Sequence, residues 1–142
     1  MLLTPEKSKC EKDQAIVVSK DKGTRREHRA TNPKRRFDLR HYKLDGEVFS
    51  QITCCDFLLV NDSTKKAYFI ELKGKNIDDA VEQLVAGERM CKAELQGYSI
   101  FYRIVCSKAK THKIQGNKFR KFKAKCGSHL LMKENILSEN LD

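Results

Sequence analysis

From Lys66 to Lys73 the chain alternates with a period of two. Ala67, Phe69, Glu71 and Lys73 fall on one face of an extended strand, and Tyr68, Ile70 and Leu72 on the other. The apolar run before it, Ile52 to Val60, is predicted to be its antiparallel neighbour, joined through the polar turn Asn61-Asp62-Ser63-Thr64-Lys65. After Gly74 the spacing changes to three and four. Ile77, Ala80, Val81, Leu84, Val85 and Cys91 predict an amphipathic helix from about Ile77 to Leu95, with Asn76 as its cap and Asp79 in its first turn. Tyr98 to Cys106 is rich in β-branched and aromatic residues and predicts a further central strand, so strand, helix and strand form a parallel crossover. Elsewhere the signals are shorter. Asp45-Gly46, between His41–Leu44 and Glu47–Ile52, predicts a tight hairpin. Ala15 to Val18 reads as a short edge strand, and any helix over Thr24 to Ala30 should stop before Asn32-Pro33. A short helix is expected from Asn117 into Lys125, ended by Gly127, followed by a last strand over His129 to Lys133. The resulting division is a poorly patterned segment over 1–22, a single domain over 23–135 and a polar tail over 136–142. At 142 residues there is enough chain for one core and not for two.

Three charges interrupt the apolar pattern where charge is costly. Asp56 is the sole charge between Ile52 and Val60, and Glu71 and Lys73 end the next strand on a shared face. An isolated buried carboxylate is strongly disfavoured, so such groups are paired, neutralised or bound to a metal. Two carboxylates at the ends of adjacent strands suit a divalent ion. Asp56 and Glu71 can supply side-chain ligands and Leu72 a main-chain carbonyl, while Lys73 can orient a water and meet developing negative charge. Magnesium, or manganese in its place, fits a site with few carboxylates and several retained waters.

Composition adds a partner. The formal net charge is +10, with 34% charged and 39% hydrophobic residues, and the pI is near 9.4. Such a balance favours a polyanion, and nucleic acid is the commonest one for a small basic protein. The charge is concentrated in two runs. Lys20 to Lys43 holds ten Lys/Arg against three acids, and Ser107 to Lys125 holds eight basic residues and no acid. Arg35 and Arg36 in the first run, and Lys118, Arg120, Lys121 and Lys123 in the second, are the candidate phosphate contacts. Phe119 and Phe122, at helical spacing between those lysines, are expected to pack on the sheet. The six cysteines have no CxxC spacing, and the four histidines each stand without a second ligand at metal spacing, so neither set reads as a zinc site. With no signal-peptide pattern at Met1 and no apolar run of about 18 residues, the expectation is a cytoplasmic protein with reduced thiols and no membrane contact.

The order strand, acid, turn, strand, Glu-x-Lys, helix resembles the core of the PD-(D/E)xK nuclease superfamily over about Gln51 to Cys106. Asp56 matches the isolated acid and Glu71-Leu72-Lys73 the second half of the motif, although Cys55 stands where a proline often precedes the acid. The resemblance implies an α/β, restriction-endonuclease-like core, a central mixed β-sheet of four or five strands flanked by α-helices. It implies a magnesium-dependent hydrolase cutting phosphodiester bonds, with DNA as the expected substrate, and is compatible with restriction, anti-phage defence or junction processing. Some subgroups place a Gln and a Tyr on the following helix; Gln83 is present here, and Gly87 stands at the tyrosine position. Many members add an acid from an N-terminal helix, for which Glu27, then Glu47, are the candidates. So small a domain implies targeting through a homodimer or a larger partner protein. The alternative is a non-catalytic, nuclease-like nucleic-acid-binding or assembly subunit.

Overall fold

The computed structural model describes residues 1–74, 76–107 and 116–142. Lys108, Lys110, His112 and Lys113 of the second basic run lie outside the described residues. The strands are β1 (Ile16–Lys20), β2 (Glu27–Thr31), β3 (Leu39–Lys43), β4 (Phe57–Asn61), β5 (Lys66–Lys73), β6 (Ser99–Cys106), β7 (Leu130–Glu134) and β8 (Ile136–Asn140); the helices are α1 (Ile77–Cys91) and α2 (Asn117–Cys126).

Five strands form a mixed sheet in the order β3-β4-β5-β6-β7, antiparallel from β3 to β5 and parallel from β5 to β7. The parallel pair β5–β6 is joined through α1, as the change from two-residue to helical periodicity requires. The alternation of β5 then divides the molecule. Ala67 and Phe69 face α1 and α2 with Leu84, Ile104 and Phe122, while Tyr68, Ile70 and Leu72 face the other way with Leu59, Val17, Ala30 and Leu137. The second face is covered by a three-stranded sheet in the order β1-β2-β8. The described residues thus form an α/β structure of three layers, with two mixed sheets and a pair of helices.

Several expected elements differ. Thr24 to Ala30 is not helical; Glu27–Thr31 is β2, whose alternation buries His28 and Ala30 between β1 and β8. The Asp45-Gly46 turn forms, with Gly46 at φ 103. No hairpin follows it, because Val48 and Phe49 enter the core and β3 pairs with β4 instead. The strand expected from Ile52 starts only at Phe57, so Asp56 lies just outside it. Helix α1 ends at Cys91 and passes into a 3-10 turn over Lys92–Glu94, short of Leu95. The expected polar tail over 136–142 supplies β8, while the short edge strand expected over Ala15 to Val18 forms as β1 at the edge of the smaller sheet. Phe119 and Phe122 are buried, Phe122 edge-on to Tyr102 with ring centroids 4.8 Å apart, so they pack as expected.

Candidate active site

Strand register builds the site. Phe57 of β4 pairs with Ile70 of β5, and one step further along this antiparallel ladder Asp56 comes opposite Glu71. The Asp56 amide donates to Glu71 Oε1 at 3.1 Å, and the Leu72 amide donates to Asp56 Oδ2 at 2.9 Å. The two carboxyl groups are close enough for each to shift the other's protonation. Glu71 is only 3% exposed, and Asp56 is half-buried and open to solvent.

These surroundings set the protonation. Burial, then the Asp56 charge, push the Glu71 carboxyl up to about 9, and Lys73 opposes this without overcoming it. Burial also raises Asp56, opposed by the Leu72 amide and reinforced by the charge of Asp21. Two acids thus sit opposite each other at the end of a sheet, each with its ionised form disfavoured by burial and by nearby negative charge. Lys73, next on the Glu71 face, donates from Nζ to Gln83 Oε1 of α1 at 3.4 Å. Gln83 is therefore tied to the lysine of the motif. Along this side Lys73, Gln83, Asp79, Glu82 and Thr53 line a hollow of about 350 Å³.

Asp56, Glu71 and the Leu72 carbonyl are the donors that could hold a divalent cation here. Its charge would favour the ionised form of Glu71 and relieve the repulsion between the two acids. Among the described residues no three His, Cys, Asp or Glu side chains form a metal-holding group. Any ion would thus rest on two carboxylates, the Leu72 carbonyl and water, a pattern natural to magnesium.

The connection between β1 and β2 brings two further charged groups, Asp21 and Arg26, to this end of the sheet or near it, and β3 brings a third, Lys43. Asp21 and, from β3, Lys43 both act on the Asp56 carboxyl, in opposite directions. Arg26 reaches over the ends of β5 and β6: its Nη1 donates to Ser107 Oγ at 2.6 Å, and a Cβ on Gly74 would come within 3.4 Å of that nitrogen. The Arg26 Nε is buried with no hydrogen-bond partner. Glycine after the Glu-x-Lys motif thus leaves room for a guanidinium. None of the three stood out individually within the basic run 20–43. The usable signal was Asp21-Lys22-Gly23, a turn with Gly23 at φ 75, between two alternating runs.

The remaining candidates are scattered. Glu27 bonds to Arg29, 3.0 Å from Nε, and Glu47 pairs with Lys9 at 3.0 Å; neither replaces Asp21 as the nearby third acid. Arg35 and Arg36 follow Thr31, at the end of β2 opposite to the one that adjoins Asp21, and Arg36 binds Asp142 at 2.8 Å. They are not brought to the site. On α2, Lys118 pairs with Glu82 of the Lys73 hollow, Arg120 contacts Asn117, and Lys121 is exposed. Lys123 donates to the carbonyls of Gly127 and Leu130 at 2.9 and 2.7 Å, closing the end of α2. That lysine is structural in its contacts.

The fold and site define an α/β protein with paired acids and a lysine at the adjoining ends of β4 and β5. Comparison with protein-family models, with curated proteins and with solved structures finds no match for this chain. No helix among the described residues is long and apolar enough to cross a membrane.

Proposed function

We propose that this chain is a metal-dependent nuclease with a restriction-endonuclease-like core, hydrolysing phosphodiester bonds of DNA. The observation that carries the reading is the convergence of Asp56 and Glu71, one of them driven to keep its proton, beside Lys73 on the Glu71 face. Such an arrangement is costly in an apoprotein and useful around a cation. Asp56, Glu71 and the Leu72 carbonyl would hold Mg2+ or Mn2+, which when bound supplies charge neutralisation at the phosphate and a more acidic water. Lys73, steered by Gln83, orients the attacking water and offsets charge as the phosphate becomes pentacoordinate. Arg26, over Gly74 and Ser107 at the ends of β5 and β6, can take a non-bridging phosphate oxygen through its guanidinium. The formal charge of +10 favours the polyanion.

The test is cleavage of plasmid and short linear DNA with magnesium, with manganese and with excess chelator. Activity should require the metal. Asp56→Ala and Glu71→Ala should each abolish cutting while duplex binding in chelator is retained or improved, since each removes a negative charge facing phosphate. Cleavage that persists in chelator, or in either variant, would overturn the reading.

A further inference from the structure

The strand β1 is the edge of the smaller sheet and β3 the edge of the larger one. Between them runs a groove of about 630 Å³ whose lining includes Ile16, Val18, Lys20, Lys22, Lys43 and Phe57. Its volume lies within the range of roughly 300–1,000 Å³ typical of sites for small ligands, enough for nucleotide units and too small for a double helix. One end adjoins the paired acids, because Phe57 follows Asp56 and both Lys43 and Asp21, which also lines the groove, act on the Asp56 carboxyl.

The walls carry two kinds of group suited to a nucleic-acid strand. Of the four lysines in the lining, Lys9 is engaged by Glu47, which leaves Lys20, Lys22 and Lys43 against Asp21. Among the described residues neither Lys20 nor Lys22 forms an ion pair. The edge of β1 supplies the second kind. The Asn32 amide bonds to the Ala15 carbonyl at 2.7 Å, so in this antiparallel register the backbones of Ala15, Val17 and Ser19 face β2 and those of Ile16, Val18 and Lys20 face outward. Gln14 Nε2 takes the Ile16 carbonyl at 2.8 Å. Among the described residues the outward amides of Val18 and Lys20 remain as donors beside the apolar side chains of Ile16 and Val18, which are 48% and 39% exposed.

We propose that this groove is a single-stranded-DNA subsite, receiving an unpaired extension or displaced strand that continues from the scissile phosphate at Asp56. The proposal rests on the nuclease reading for its direction, and its occupant is set by charge: phosphates on Lys20, Lys22 and Lys43, bases against Ile16 and Val18. Lysines bind phosphate as point charges and apolar side chains accept any base face, so the subsite selects strandedness rather than sequence.

The experiment measures binding in chelator, where no turnover occurs. Fluorescence anisotropy compares a blunt duplex, the same duplex with a 5′ or a 3′ single-stranded extension, and oligothymidine, on the wild-type chain and on Lys20→Gln/Lys22→Gln. One of the two extensions should tighten binding about tenfold over the blunt duplex. The double variant should remove that gain, leave blunt-duplex affinity unchanged, and lower the salt slope for oligothymidine by about 1.4, since each phosphate neutralised on a single strand contributes about 0.7. Equal affinity for blunt and extended duplexes, or a gain that survives the double variant, would overturn the proposal. So would polyglutamate binding more tightly than oligothymidine in a Lys20- and Lys22-dependent way, which would mark the β1 edge as a peptide-docking strand. Because the readout is binding without metal, loss of the tail effect with intact cleavage refutes the groove alone. A lysine-dependent tail effect without metal-dependent cleavage refutes the nuclease reading alone.

Discussion

Among the described residues Arg26 donates to Ser107, while its Nε is buried without a partner. An unmet buried donor costs roughly 1–3 kcal/mol, and such groups call for a reason where they occur. Under the proposed function, the Arg26 guanidinium at the ends of β5 and β6, beside Gly74, meets an anion that arrives with substrate. Arg26→Ala should therefore lower the cleavage rate by on the order of 100-fold, the usual effect of removing one preorganised donor. Duplex binding and melting temperature should change little. Arg26→Lys should recover only part of the rate, because a lysine cannot present the planar fork. A rate equal to wild type in Arg26→Ala would place the residue outside the chemistry. The residue scale also divides what was legible in the sequence from what was not. Asp56, Glu71 and Lys73 stood out because each breaks an apolar pattern. Arg26, Asp21 and Lys43 lie in a segment already dense with charge, where one more charge carries no positional information. The contacts of Lys123 were not legible for the same reason: nothing in a lysine-rich helix says which lysine turns back to the carbonyls just beyond its C-terminus.

At the scale of elements, the legible parts were those whose pattern is set by local burial. β5, the turn before it, α1 and β6 all follow periodicities that one chain segment displays by itself. β2 and β8 were missed because their stability comes from partners distant in sequence: β8 is polar and pairs in parallel with β2, more than a hundred residues away. The contact between α1 and the sheet rests on a feature that the sequence showed only as a departure. Gly87 occupies the place of the expected tyrosine, and a Cβ there would lie 2.6 Å from the Cys55 sulfur and 3.5 Å from the Phe69 ring. Cys55 is fully buried and cannot yield easily. Alanine in an exposed helix would gain up to about 1 kcal/mol over glycine, but overpacking a filled core costs roughly 1–3 kcal/mol. Gly87→Ala should thus destabilise by about 1–2 kcal/mol in urea unfolding. Adding Cys55→Ala, which removes the clashing sulfur, should make the glycine replacement neutral or favourable in that background. A stabilising Gly87→Ala in the otherwise native chain would show that α1 does not approach the sheet this closely.

For the whole molecule, the question is what holds the small sheet on the large one, since the loop that carries Asp21 and Arg26 and one wall of the groove both belong to the small sheet. Apolar contacts among Val17, Ala30, Leu137, Leu59 and Ile70 supply most of the attraction. Orientation comes from Glu139 of β8. It accepts from Arg103 of β6 through Nε at 2.8 Å and Nη2 at 3.1 Å, and it pairs with His28 of β2 at 2.6 Å. Arg103 is 4% exposed, lies over the rings of Tyr68 and Phe101, and donates to the carbonyls of Tyr102 and His129. Burial alone would raise the Glu139 carboxyl, but bonds from His28 and Arg103 hold it down at about 2. A folded-state value below the unfolded one means the unfolded chain binds the proton first. Stability from this group is fully present above about 4.5 and is lost as the pH falls from there towards 2. Glu139→Ala should cost roughly 3–5 kcal/mol near neutral pH, because it leaves the Arg103 charge buried without its partner. Replacing both residues, Glu139→Leu with Arg103→Met, should cost less than the single change. Urea unfolding of wild type and Glu139→Gln across the acid range supplies the second check, since the gap between them should narrow as Glu139 takes up its proton. Loss of less than about 1 kcal/mol in Glu139→Ala, the value of an ordinary surface pair, together with a gap that does not change with pH, would mean that apolar burial alone sets the two sheets against each other.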